Sequence, residues 1–157
     1  MVMGADGSLY VGSGKVKAWA ANAPAFHSLE RVSFKGKVPF EVSSVKALAD
    51  GFELTFTKPV DKESAEAIDG FDVWQYKNKF HKTYGSPEFD HNGKPDSFTV
   101  INVNEAKVSR DKLKVRLRLD SWKAGYVTAV RGLDARSAMG EKLWHNTFYY
   151  TLNRIPK

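Results

Sequence analysis

The chain contains no cysteine in its 157 residues. That absence excludes disulfides, thiolate metal sites, a cysteine nucleophile and Cys-x-x-Cys-His haem attachment together. It leaves the compartment open, since an exported protein of this size can bury a core without disulfide staples. A long apolar run is missing too, because no stretch approaches the roughly 20 residues that span a bilayer. The opening Met-Val-Met-Gly-Ala-Asp-Gly-Ser has neither a basic start nor an apolar segment of signal-peptide length. The sequence therefore reads as a soluble chain, and is equally compatible with a piece cut from an exported precursor. No Gly-x-Ser-x-Gly elbow is present, so a hydrolase reading has nothing to rest on.

What is present in excess is positive charge. Lysine and arginine number 24 against 18 acidic residues, a net charge of +6, which favours acidic partners. Nucleic acid is a poor candidate even so. The chain has no zinc-finger spacing, no basic helix and no aromatic box of the RNA-binding sheet type.

Residues 1–39 are rich in Gly, Ala and Lys and read as an N-terminal extension, with β-like runs at Ser8 to Val11 and Leu29 to Phe34. Asp6-Gly7 is a turn signal feeding the first run, and Asn22-Ala-Pro24 is a break in which Pro24 forces an extended approach. From residue 40 to 157 short strand patterns recur between turn signals. The clearest is Gly51 to Thr57, where Phe52, Leu54 and Phe56 alternate with Glu53, Thr55 and Thr57. Val42 to Leu48 precedes it across an Ala-Asp-Gly turn and predicts a hairpin. Asp61 to Asp69 predicts one short helical turn capped by Asp61 or Ser64. Phe71 to Tyr76, Phe98 to Val103, Lys112 to Leu119, Tyr126 to Val130 and Thr147 to Leu152 supply five more strands. Together with the hairpin this predicts an all-β fold, an immunoglobulin or fibronectin III-like antiparallel β-sandwich. Phe52, Leu54, Phe56, Leu113, Val115 and Leu117 are its expected shared core.

Candidate binding residues fall in two groups. Lys112, Lys114, Arg116 and Arg118 alternate with Leu113, Val115, Leu117 and Leu119. On a strand they form an outward cationic stripe at about 6.7 Å spacing, fit for an acidic polysaccharide or simply for solubility. Trp74 and Tyr76 share a strand face opposite Phe71 and Val73, and Phe80, Tyr84 and Phe89 follow in a long polar loop, Lys77 to Ser97. Outward aromatic rings suit stacking on a sugar; the competing reading folds the loop back and buries them. His81, Asp90, His91 and His145 include metal-ligating residue types, but no His-x-His pairing presets two ligands on one element, so they read as solvated loop residues. The Asp90 to Asp96 stretch lacks the glutamate of a calcium loop, position 101 being Ile. Glu63 and Glu66 read as a solvated face. Tyr126 sits at the start of a late strand, like the corner tyrosine of sandwich folds.

Four stretches carry a family resemblance: Gly36-Lys-Val-Pro-Phe-Glu41, Asp50-Gly-Phe-Glu-Leu-Thr-Phe-Thr-Lys-Pro-Val-Asp61, Tyr84-Gly-Ser-Pro87, and Leu143-Trp-His-Asn-Thr-Phe-Tyr-Tyr-Thr-Leu-Asn-Arg-Ile-Pro156. They resemble the C-terminal region of large bacterial sorbosone-dehydrogenase-like proteins. There, a β-propeller related to quinone-dependent sugar dehydrogenases is followed by an immunoglobulin-like domain, often with a cytochrome c domain nearby. Asp6-Gly-Ser-Leu-Tyr-Val-Gly12 resembles the closing strand of such a propeller. The resemblance implies a secreted or periplasmic setting beside sugar chemistry, with neighbouring domains of a parent protein as partners, and it supplies no catalytic residue.

The expectation is a non-enzymatic accessory module with no cofactor, no metal and no membrane partner. It is read as binding carbohydrate, an acidic one among the candidates, through Trp74, Tyr76, Phe80 and Tyr84 with Lys112, Lys114, Arg116 and Arg118. The alternative is a structural spacer or protein-docking domain beside a sugar-dehydrogenase-like propeller.

Overall fold

The computed structural model describes residues 1–14, 27–131 and 134–157. The break expected at Asn22-Ala-Pro24 lies outside the described residues. The chain divides into two units, Met1–Lys37 and Val38–Lys157.

In the first unit, β1 (Val2–Met3), β2 (Leu9–Gly14) and β3 (His27–Val32) form an antiparallel sheet in that order. Its first turn follows from local chemistry. Asp6 Oδ1 accepts the Ser8 amide proton at 3.1 Å, and Gly7 takes the left-handed conformation the turn requires, φ 73°. Arg31 on β3 closes an ion pair with Asp6 at 2.9 Å. Among the described residues of this unit, only Ser8 is buried.

The described residues of the second unit form eight strands: β4 (Val42–Leu48), β5 (Gly51–Phe56), β6 (Asp72–Tyr76), β7 (Thr99–Val100), β8 (Val103–Val108), β9 (Lys114–Leu119), β10 (Tyr126–Arg131) and β11 (Thr147–Leu152). They build two antiparallel four-stranded sheets, ordered β4-β5-β9-β8 and β11-β10-β6-β7. Lettered A, B, C, C′, D, E, F, G along the chain, the orders read A-B-E-D and G-F-C-C′. This is the immunoglobulin-like sandwich topology.

Period-two alternation decides what lies between the sheets. Phe52, Leu54 and Phe56 of β5 and Val115, Leu117 and Leu119 of β9 are buried, and Val73, Val130 and Leu152 join them. Phe52 stands at the centre, with the rings of Trp122, Tyr150 and Phe148 at 5.0, 5.2 and 6.1 Å, all edge-on. Phe40 stacks on Phe56 at 5.5 Å. In a chain without cysteine, this ring cluster ties the two sheets together by burial and edge-to-face contact.

Several elements differ from the sequence expectation. Phe98 to Val103 is not one strand: Thr99–Val100 pairs with β6, after which the chain crosses and β8 pairs with β9 in the other sheet. Among the described residues of this unit the strands therefore number eight, not seven. The strand expected from Lys112 begins only at Lys114. Lys112 has φ 58° and closes a turn in which Asp111 accepts the Leu113 amide proton at 3.1 Å. Leu113 is accordingly half-buried, outside the main core. The short helix α1 (Lys62–Glu66) is capped by Asp61, whose carboxylate accepts the Ser64 amide proton at 2.9 Å.

Candidate ligand groove

The outer face of the β11-β10-β6-β7 sheet follows from the strand register. Trp74 lies opposite Val100 on β7 and Ala129 on β10, and Ala129 lies opposite Tyr149 on β11. Residues directly opposite share a face, so these four form one row across the sheet. The same parity places Asp72 opposite Arg131, and Tyr76 opposite Val127. Val73 and Gln75, the alternate positions of β6, are buried between the sheets.

Around this row opens a groove of about 720 Å³, walled by Trp74, Tyr76, Phe98, Val100 and Tyr149. It extends past Phe71, Ile101 and Val103 to the 3₁₀ turn (Ile68–Gly70). Trp74 and Tyr76 are half-buried, whereas Tyr149 is 63% and Phe98 53% exposed, so wide aromatic surface meets solvent. The Phe98 ring tilts against Trp74 at 6.1 Å, and the Arg131 guanidinium sits 5.3 Å over the Trp74 ring. Arg131 also approaches Asp72 at 3.5 Å. The polar members are Asp69, Asp72, Glu88, Asn102 and Arg131. Burial, then the charge of Glu88 and the neighbouring Tyr149 phenol, push the Tyr76 hydroxyl above its usual range. Tyr76 thus stays neutral and able to donate.

The expected site residues separate into three places. Trp74 and Tyr76 come together in the groove. Phe80 and Tyr84 do not join them: both are fully exposed at the tip of the loop. The base of that loop is ordered by paired backbone bonds between Lys77 and Phe89, and by Asp90, whose Oδ1 accepts amide protons from Asn92 and Lys94 at 2.8 and 2.9 Å. The loop therefore leaves the groove open rather than folding over it.

The basic stripe lies on the other sheet and is altered. Lys112 is off the strand, and the remaining three cations are paired. Lys114 bonds Glu53 at 2.9 Å, Arg116 bonds Asp50 at 2.9 Å, and Arg118 approaches Asp50 and Glu105 at 3.5 and 3.4 Å. Arg116 holds the Asp50 carboxyl below the usual carboxylate range. Each of these three cations therefore has a carboxylate neighbour in place, and the stripe is a mixed-charge surface.

His91 is not a solvated loop histidine. It bonds the buried Gln75 Oε1 at 2.9 Å and packs against the Tyr126 ring at 4.6 Å. Since an amide oxygen only accepts, His91 Nε2 carries the proton. Gln75 is saturated: Nε2 donates to the Lys123 carbonyl and the Thr128 hydroxyl at 3.1 and 2.8 Å, and Oε1 also accepts from the Lys123 amide at 2.8 Å. This knot pins the loop to one end of the sandwich. Tyr126 accordingly takes a different part from a corner tyrosine, packing on His91 with Lys77 Nζ 5.9 Å from its ring. His145 pairs with Glu41 at 2.7 Å. No group of three metal-ligating side chains exists among the described residues.

Sequence reasoning missed Phe98, Arg131 and Tyr149. Tyr149 was legible, because Leu152 facing inward sets Phe148 and Tyr150 inward and Tyr149 outward. Phe98 and Arg131 required the strand pairing.

Fold and groove together define an immunoglobulin-like β-sandwich carrying an aromatic groove on one outer sheet face. No protein-family profile matches the chain, and no curated protein matches it. Solved structures of the bacterial S-layer protein SbsC are similar to it. The crystal structure of rSbsC(31-844) has a TM-score of 0.53 at 23% identity over 76% of this chain and 14% of that one. The structure of SbsC domains 1-6 has a TM-score of 0.53 at 22% identity, over 76% and 14%. The N-terminal part of SbsC has a TM-score of 0.53 at 23% identity, over 74% and 24%. The chain thus spans a quarter or less of these chains, and the likeness is one of fold. No helix among the described residues is long and apolar enough to cross a membrane.

Proposed function

We propose that the chain is a non-catalytic accessory module of a secreted multidomain protein, and that residues 38–157 bind carbohydrate in the aromatic groove. The observation that carries this reading is the row of Trp74 and Tyr149 across the sheet, flanked by Tyr76 and Phe98 and edged by polar groups. Aromatic faces cover the apolar face of a sugar ring while neighbouring carboxylates, amides and phenols bond its hydroxyls. A groove of about 720 Å³ is in the range of small-ligand sites. The sequence resemblance to sorbosone-dehydrogenase-like proteins supports a sugar-related setting, with residues 1–39 as the end of a propeller. A second reading, a spacer or docking module, draws on the likeness to domains of a much longer S-layer protein.

The test is Trp74→Ala. Because Trp74 faces outward and only half-buries, the variant should keep a cooperative unfolding transition while losing about tenfold or more in affinity for a glycan hexamer. An unfolded variant, or a folded variant that binds as wild type, would remove the groove from the carbohydrate reading.

A further inference from the structure

The charge around the groove is opposite in sign to the charge of the chain. The whole chain carries +6, yet the groove is lined by Asp69, Asp72 and Glu88 against Arg131 alone, so three negative charges less one positive leave −2. Arg131 is already engaged with Asp72 and with the Trp74 ring. Asp69 and Glu88 are exposed and have no ion-pair partner among the described residues. Carboxylates beside aromatic faces suit a cation twice over, through direct pairing and through attraction to the ring faces, which Arg131 over Trp74 demonstrates within the molecule. Of the cations expected to attract an acidic glycan, Lys114, Arg116 and Arg118 lie on the other sheet, paired with carboxylates.

Resting on the carbohydrate reading above, we propose that the groove selects glycans bearing free amino groups, with Trp74, Tyr76 and Tyr149 stacking on the sugar rings and Asp69 and Glu88 taking the protonated amines. A polyuronic acid would meet like charge at the same positions.

The experiment titrates the full chain with a glucosamine hexamer, its fully N-acetylated counterpart, a glucose hexamer and an oligogalacturonate, in a buffer below the pKa of the sugar amine. The amine hexamer should bind about tenfold tighter than the acetylated one, and oligogalacturonate weakest of all. That preference must hold against the overall +6 charge, which disfavours a cationic ligand. It should shrink as salt rises and collapse in the double variant Asp69→Asn, Glu88→Gln, in which the amine and acetylated hexamers should bind within about twofold of each other. Equal affinity for amine and acetylated hexamers, or an amine preference that survives the double variant, overturns the charge assignment while leaving a carbohydrate groove standing. Absence of binding by every oligomer overturns both.

Discussion

At Gly51 the chain enters β5 with φ 152°, and a Cβ built there would overlap the carbonyl oxygen of Leu117 on β9. The contact is backbone, inside a paired sheet, so nothing can swing aside. Gly51→Ala should cost on the order of 3 kcal/mol in denaturant unfolding, and a loss below about 0.5 kcal/mol would mean the strands separate more easily than their register implies. His91 supplies a second residue-level test, this one of pH. Burial, chiefly, and then Lys123 depress its pKa below the usual 6.5, with Asp90 opposing. The folded state therefore prefers the neutral ring that donates to Gln75, and the unfolded chain binds the proton more readily. Its contribution to stability is present above about pH 6.5 and is lost as pH falls below that value. Wild type should destabilise on acidification through this window more steeply than His91→Asn, in paired melts at each pH. Parallel pH profiles for the two proteins would sink the assignment.

Among the elements, the strands most legible in the sequence were those whose alternation is enforced by burial on one face. Phe52, Leu54 and Phe56, and Val115, Leu117 and Leu119, are apolar at every second position because their other side meets water. β8 escaped notice because Val-Asn-Glu-Ala-Lys-Val offers a weak pattern, and the register shift between Val103 and Glu105 breaks its period. The crossing from β7 to β8 was illegible for the same reason: Phe98 to Val103 looks continuous as residues, and only pairing partners reveal that it changes sheet. The binding face was half legible. Period two placed Trp74 and Tyr76 on one side of β6, but the direction of the adjoining loop depends on bonds between distant residues, Gln75 with His91 and Lys77 with Phe89. Those bonds hold the loop base and leave its tip free, with Phe80 and Tyr84 fully exposed. The double variant Phe80→Ser, Tyr84→Ser should consequently leave both the melting temperature and glycan affinity unchanged. A tenfold loss of affinity would mean that the tip reaches the bound glycan.

On the scale of the whole molecule, the two units differ in what could sustain them. Residues 38–157 enclose a continuous core from Phe40 to Leu152, with both sheets contributing. Residues 1–37 offer a three-stranded sheet in which no described apolar side chain is buried, and Val2, Met3, Leu29, Val32 and Phe34 are each more than half exposed. A small sheet whose described residues bury no apolar side chain is marginal in water, because ordering its backbone costs about 1–2 kcal/mol per residue. Folding should therefore belong to the second unit. A fragment of residues 38–157 should unfold cooperatively within about 5 °C of the full chain, as expected if the missing segment contributes no more than about 1 kcal/mol. A peptide of residues 1–37 should show the circular dichroism of an unfolded chain. If the fragment instead loses its cooperative transition, the first unit is part of the fold, and the exposed apolar residues of its sheet cannot be treated as separate from the stability of the sandwich.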